Sequence, residues 1–315
     1  MSKNVTSIGY YAFKNCTGLE SIAMPEGVQS IGSYAFSGCT ALTGVAVSEG
    51  VTSIGNYAFS GCTALKSLTL PESLTSMGYY MIKDTAIESI TIPKNVTECE
   101  YYNYSPAGGP LAGCKTLKQV VFEEGMTAIP AYACNNAYYV EQIVLPSTTE
   151  CINGYAFASC VRLKTVELPD KLQTIWKYAF ENCSALGELN IPKTVSTIEA
   201  YAFADCSGVN TVTMEENTKT GFKVTIGDYA FSGCNGIESL NMSKNVTSIG
   251  YYAFKNCTGL ESFDMPEGIQ SIGGYAFSGC TALKSLTLPE SLTSMGYYMI
   301  DGTAIESITI PKNVT

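Results

Sequence analysis

A 23-residue pattern recurs along this chain about thirteen times, and it constrains the fold more than any other feature. Val5, Val28 and Val51 stand 23 apart, with Leu74 next in the series. Ile8, Ile31, Ile54 and Met77 keep the same step, as do Phe13, Phe36, Phe59 and Ile82. A unit of that size cannot bury its own apolar face and must stack on its neighbours, which is the logic of a solenoid. A length of 315 residues would otherwise suggest two or three globular domains. A stack grows in one dimension without that limit, so 1–315 reads as a single solenoid. Both ends fall at the same phase, Lys3-Asn4-Val5-Thr6 against Lys312-Asn313-Val314-Thr315, which reads as a piece of a longer array.

One repeat can be read from Leu65 to Thr85. In Leu65, Leu68 and Leu70 the last two alternate with polar Thr69, which predicts a short strand with one buried face. Pro71 follows and ends it, because proline has no N–H to donate. Next comes V-x-x-I-G, as in Val51 to Gly55, a second apolar pair on the way round. The glycine (Gly9, Gly32, Gly55, Gly250, Gly273) hints at a turn with positive φ, although Pro130 and Trp176 hold the same column. Then Tyr57, Ala58, Phe59, Cys62 and Leu65 place apolar residues at three-residue steps, which predicts one or two tight helical turns of 3₁₀ character. Stacking predicts thirteen parallel strands in register, from Ile22–Met24 to Ile308–Ile310. Strands are narrower than the helical side, so the body should curve with the sheet inside.

L-x-x-L-x-L-P followed by V-x-x-I-G-x-Y-A-F-x-x-C resembles the BspA-like leucine-rich repeats, a class of bacterial and protist surface proteins. The resemblance covers essentially the whole chain and departs near Thr85 and Thr303, where the cysteine is lost and the repeat is one residue short. It implies an α/β, β-rich solenoid: a curved right-handed leucine-rich-repeat superhelix with the parallel sheet on the concave side and short helical turns on the convex side. It also implies display at the cell surface or secretion, and attachment to host or partner-cell proteins.

Composition narrows the partners. With 18 Lys and Arg against 28 Asp and Glu, the net charge of −10 argues against nucleic acid and anionic membranes. No run of eighteen apolar residues is present to span a bilayer. The absence of histidine removes Ser-His and Cys-His activation and the commonest metal ligand. Ten of the 13 cysteines (Cys16, Cys39, Cys62, Cys114, Cys160, Cys183, Cys206, Cys234, Cys257, Cys280) share one phase of the repeat. Their 23-residue spacing is not that of a zinc site, and a ladder of buried thiols acting as small hydrophobes is the expectation. No cofactor, metal or catalytic residue is expected, and the chain does not read as an enzyme.

Two insertions interrupt the array, near 98–113 and 215–222. The first carries Tyr101, Tyr102 and Tyr104, aromatics of the kind that anchor interfaces. On the outward strand face the central column includes Glu167, Asn190, Thr213, Asn241 and Asp264, an acidic and amide stretch. These eight residues are the candidate interaction positions. The expected role is a protein-interaction and adhesion module acting on host extracellular-matrix or surface proteins, with an intracellular protein scaffold as the alternative. Because both ends derive from one unit, weak head-to-tail self-association is also expected.

Overall fold

Most coils contribute two short strands, so the computed structural model, which describes residues 4–103 and 108–314, is a parallel-strand β-solenoid with two ladders where the repeat suggests one. The chain falls into two compact units, Met1–Thr149 with Tyr155–Leu163, and Glu150–Gly154 with Lys164–Thr315.

The leucine ladder forms where expected, but not at all thirteen rungs. In the first unit Gly44–Ala46 pairs with Ser67–Thr69, while Ser89–Ile92, Gln119–Phe122 and Gln142–Val144 form a second set. In the second unit Glu188–Ile191, Thr211–Met214 and Ser239–Asn241 run in register, and Ser262–Asp264 pairs with Ser285–Thr287. The expected rungs at 22–24, 166–168 and 308–310 lie outside any strand.

The V-x-x-I segment, expected only as a descending stretch, carries the longer ladder. Ser7–Ile8, Ser30–Ile31, Ser53–Ile54, Ser76–Met77 and Glu98–Cys99 pair in sequence in the first unit. In the second unit the ladder runs from Cys151–Ile152 to Ser294–Met295. Most of these strands are two residues long. Two residues cannot display a period of two, which is why alternation does not reveal them.

No helix is found among the described residues, which corrects the expected helical and 3₁₀ turns. The Y-A-F-x-x-C segment is a series of turns closed by i→i−3 bonds, such as Ala35 N–H to Gly32 (3.2 Å), Ser37 to Tyr34 (3.1 Å) and Cys39 to Phe36 (3.1 Å). Left-handed residues interrupt the series: Tyr34 has φ 59° and Gly38 has φ 77°. The same tyrosine column recurs with positive φ at Tyr57, Tyr201 and Tyr275. A helix would aim each N–H along its own axis, whereas here Tyr57 N–H reaches the next coil at the Tyr79 carbonyl (3.0 Å). A left-handed tyrosine costs about 1–2 kcal/mol. An inter-coil bond of about 1 kcal/mol and a ring stack of about 0.5–1.5 kcal/mol offset it.

The glycine after the V-x-x-I pair has a different cause from the one expected. Gly9, Gly32, Gly55, Gly250 and Gly273 are not among the positive-φ residues. A Cβ at Gly55 would lie 2.6 Å from the Ser33 nitrogen, and one at Gly78 would lie 2.4 Å from that of Asn56. Close approach of the preceding coil excludes a side chain there.

The core lies between the two ladders and the turn. Phe180, Phe203, Phe231, Phe254 and Phe277 stack at 5.1–5.3 Å and are fully buried. The in-phase thiols are buried beside them, except Cys16. Most donate toward the preceding coil: Cys62 Sγ to the Phe36 carbonyl at 3.0 Å and Cys206 Sγ to that of Phe180 at 3.0 Å. Where threonine replaces the cysteine, the hydroxyl bonds locally instead, Thr85 to Ile82 and Thr303 to Ile300, both at 2.9 Å.

Candidate interaction surface

The leucine ladder turns alternate side chains to the core, so the residues between them must face outward. Leu189, Val212, Leu240 and Phe263 are buried. Between them Asn190, Asn241 and Asp264 are exposed and Thr213 is half-exposed. Register places Asn190 beside Thr213 and Thr213 beside Asn241, one residue per coil. Asp264 belongs to the next pair of strands, where its Oδ1 accepts the Thr287 hydroxyl at 2.6 Å. Glu167 is exposed but sits in a segment outside any strand, so the structure does not bring it into that ladder.

The column is not flat. Ser239–Asn241 and Ser262–Asp264 are not bonded to each other, and the opening forms a depression of about 500 Å³ lined by Glu216, Glu238, Asn241, Lys244 and Asp264. In the first unit a similar opening of about 400 Å³ lies between Ser67–Thr69 and Ser89–Ile92, lined by Lys66, Glu72, Thr91, Gln119 and Glu123. The outward column there reads Ala46, Thr69, Thr91, Val121 and Val144, without a charge. Beside it Gln119 Nε2 donates to Gln142 Oε1 at 2.9 Å. The central column is therefore uncharged in the first unit, whereas in the second it carries Asp264 among amides and threonines.

The first insertion packs onto its own unit. In the repeat that follows Tyr80, the tyrosine column is occupied by Gly109, whose carbonyl still accepts Tyr80 N–H at 3.0 Å. The missing ring is replaced from the insertion. Tyr101 stacks on Tyr132 with centroids 4.5 Å apart, and Tyr102 lies 5.1 Å from Tyr79 and 6.3 Å from Tyr80. An antiparallel bridge between Tyr102 and Gly108 holds the base of the loop. Both rings are half-buried, and Tyr104 lies outside the described residues. The second insertion is likewise pinned: Asn217 N–H donates to Asn245 Oδ1 (2.7 Å), and Asn217 Nδ2 donates to the Lys193 carbonyl (2.8 Å).

Sequence reasoning read the tyrosines only as part of a turn and missed the stack they form. Tyr178, Tyr201, Tyr229, Tyr252, Tyr275 and Tyr298 follow one another at 4.6–5.1 Å in the second unit. Their 23-residue recurrence was the available signal. Burial, with the neighbouring phenols of Tyr34 and Tyr80, pushes the Tyr57 hydroxyl up to about 12. Burial likewise pushes the Cys62 thiol up to about 12. Such a thiol stays protonated and is a poor nucleophile.

Among the described residues no group of three or more His, Cys, Asp or Glu side chains is placed to hold a metal ion. No helix there is long and apolar enough to cross a membrane.

A model of the BspA type leucine rich repeat region matches the chain in six copies, over residues 1–107, 111–223 and 222–315. A leucine-rich repeat protein from Bacteroides ovatus is 28% identical, with 98% of this chain and 83% of that one covered and a TM-score of 0.53. A leucine rich cell surface protein from Faecalibacterium prausnitzii is 24% identical over 96% of this chain and 82% of that one, with a TM-score of 0.46. A leucine-rich repeat protein from Eubacterium ventriosum is 22% identical over 94% and 80%, with a TM-score of 0.49. No curated protein matches the chain significantly.

Proposed function

The chain belongs to the BspA-type leucine-rich repeat family, a repeat class suited to protein–protein interaction, and from that premise we propose that it is a non-enzymatic adhesion module, displayed at the cell surface or secreted, that attaches to proteins of a host or partner cell. The observation that carries this reading is the outward face of the leucine ladder in the second unit. There Asn190, Asn241 and Asp264 stand exposed on strands whose alternate residues are buried. A row of short polar side chains on a rigid stack suits a large partner better than a small ligand, because its backbone is already ordered before binding. Glu167 of the same unit extends the proposed contact, and Tyr101, Tyr102 and Tyr104 of the first insertion are proposed as a separate contact of the first unit.

Extracellular-matrix proteins are the partner class this reading favours. The test is adhesion of beads carrying the chain to immobilised matrix proteins and to whole cells. One variant changes Glu167, Asn190, Asn241 and Asp264 to Ser, and a second changes Tyr101, Tyr102 and Tyr104 to Ser. The first should weaken binding about tenfold or more, since interface energy concentrates in few residues. Binding that is unchanged in both variants, with both still folded, would overturn the proposal.

A further inference from the structure

The second insertion builds a depression that the repeat alone does not supply. Elsewhere the passage from a leucine strand to the next V-x-x-I pair is short, as from Ile191 to Val195, whereas here it runs from Met214 to Val224. Asn217, Lys219 and Phe222 of this longer passage face the coils before it across a space of about 470 Å³. That volume lies within the range of small-molecule sites, about 300–1,000 Å³. The earlier coils contribute Glu150, Gln173 and Ser196, one residue each. Backbone bonds fix that column: Gln173 N–H donates to the Glu150 carbonyl (2.7 Å), Ser196 N–H to Gln173 (2.9 Å) and Thr225 N–H to Ser196 (3.0 Å). The proline turns contribute Asp170, Lys171 and Thr194, and the Thr194 hydroxyl donates to the Asp170 carbonyl at 2.8 Å.

The insertion is ordered before anything binds. Lys219 N–H donates to Asn217 Oδ1 (2.9 Å), Phe222 N–H to the Lys219 carbonyl (3.1 Å), and Asn245 Nδ2 to the Asn217 carbonyl (3.0 Å). A loop held in this way loses little entropy when a ligand arrives. Phe222 differs from the other rings of the second unit. The phenylalanines of the core column are buried and stacked, and the tyrosines of the turn column cover one another's faces. Phe222 belongs to neither column, is half-buried, and stacks on no other ring among the described residues. Around it stand Lys171 and Lys219 against Glu150 and Asp170, all four exposed. None of the four enters an ion pair among the described residues.

We propose that this depression binds a neutral saccharide, one sugar ring lying with its C–H face on Phe222 and its hydroxyls on Glu150, Asp170, Gln173, Lys171 and Lys219. An aromatic face is negative and attracts the polarised C–H groups of a sugar. A hydroxyl both donates and accepts, so one hydroxylated ring edge can satisfy carboxylates, ammonium groups and an amide together. Two positive and two negative side chains cancel, which favours an uncharged ligand over an ionic one. A peptide fits less well. Thr174, Thr197 and Thr225 pair in sequence, so no free strand edge is offered for an added strand. The lining is also polar apart from one ring, with no apolar pocket to anchor a side chain. The site goes beyond the protein contact proposed above and shares no residue with it.

Retention of the fluorescently labelled full chain on a printed array of neutral and acidic oligosaccharides tests this. Wild type should be held by neutral structures, and salt of about 1 M should not release it, because screening weakens only charge attraction. Phe222→Ala should lower retention about tenfold, the upper value of a ring contact. Gln173→Ala, at an exposed position, should lower it several-fold with an unchanged melting temperature. Changing Asn190, Asn241 and Asp264 to Ser should leave it as it is, so this site and the protein contact fail separately. Amide exchange over 218–223 should slow when the best-retained neutral oligosaccharide is added, a readout that needs no variant. A wild type held by no neutral structure overturns the proposal. So does retention confined to acidic structures and abolished by salt, or retention unchanged in both folded single variants. Capture on a peptide array that depends on Phe222, with none on the saccharide array, would assign the depression to a peptide instead.

Discussion

Residues 62–97 and 280–315 carry one sequence apart from Lys83-Asp84 against Asp301-Gly302, yet they occupy different environments. The local geometry is the same. Tyr80 and Tyr298 both have φ 53°, and their rings lie 5.2 and 5.1 Å from the preceding tyrosine. The Tyr79–Tyr80 and Tyr297–Tyr298 pairs are both edge-on at 88°. Burial is not the same. Tyr80 is 4% exposed and Tyr298 64%, while Ile92 is 0% exposed and Ile310 48%. Ser89–Ile92 is a strand paired with Gln119–Phe122, whereas 307–310 is none. The comparison separates two causes. Turn conformation follows from the residues of one coil, and strand formation and burial follow from the coil stacked upon it.

Thiol reactivity should show the largest contrast between a covered rung and an open one. Cys16, in the first coil, is exposed, whereas Cys39 and Cys62, at the same phase, are buried. Native labelling should modify Cys16 faster than Cys62 by on the order of a thousandfold, because Cys62 must wait for a local opening of several kcal/mol. Comparable rates would mean that the rungs are not closed.

The duplicated blocks offer the next contrast. Ile92→Ala removes a fully buried side chain and should cost about 2–5 kcal/mol. Ile310→Ala should stay within about 0.5 kcal/mol. Denaturant melts of the two variants measure the difference, and equal losses would show that the last coil is as well packed as the inner one.

Alkaline pH should act on the ring stack. The Tyr57 hydroxyl is raised to about 12, chiefly by burial and then by the Tyr34 and Tyr80 phenols. The unfolded chain gives up that proton near pH 10 and the folded one near 12. The stability it contributes is therefore complete below pH 10 and is lost as pH rises from about 10 to about 12. Melting temperature against pH, read beside phenolate absorbance, should show both changes in that window. A melting temperature that holds constant through pH 12 would disprove it.

The smallest effect concerns the insertion. Tyr102→Ser should cost about 1 kcal/mol, the value of a ring contact. It should also raise the rate of Tyr80 iodination toward that of Tyr298, making the inner copy resemble the outer. If Tyr80 stays unreactive, the following coil alone covers it.

The candidate surface was legible only in part. Alternation along Glu188–Ile191 and Thr211–Met214 identifies Asn190 and Thr213 as outward residues without any structure, because a strand has a fixed period of two. The same inference places Glu167 on a strand that does not form. Tyr101 and Tyr102 gave no sign of their packing. Their partners, Tyr132, Tyr79 and Tyr80, lie between 22 and 31 residues away, across coil boundaries.

By itself the sequence determined the stack, its 23-residue step, the buried columns of leucine, phenylalanine and cysteine, and the proline that ends most leucine strands. All of these are properties of one repeat read against itself. Tertiary structure decided what depends on the neighbouring coil. It converted an apparent helical turn into left-handed tyrosines, since their N–H groups bond outward to the next coil rather than along a helix axis. It made strands of two-residue segments too short to show a period. It also left identical tyrosines buried at Tyr80 and open at Tyr298, because a side chain is removed from water by what lies upon it.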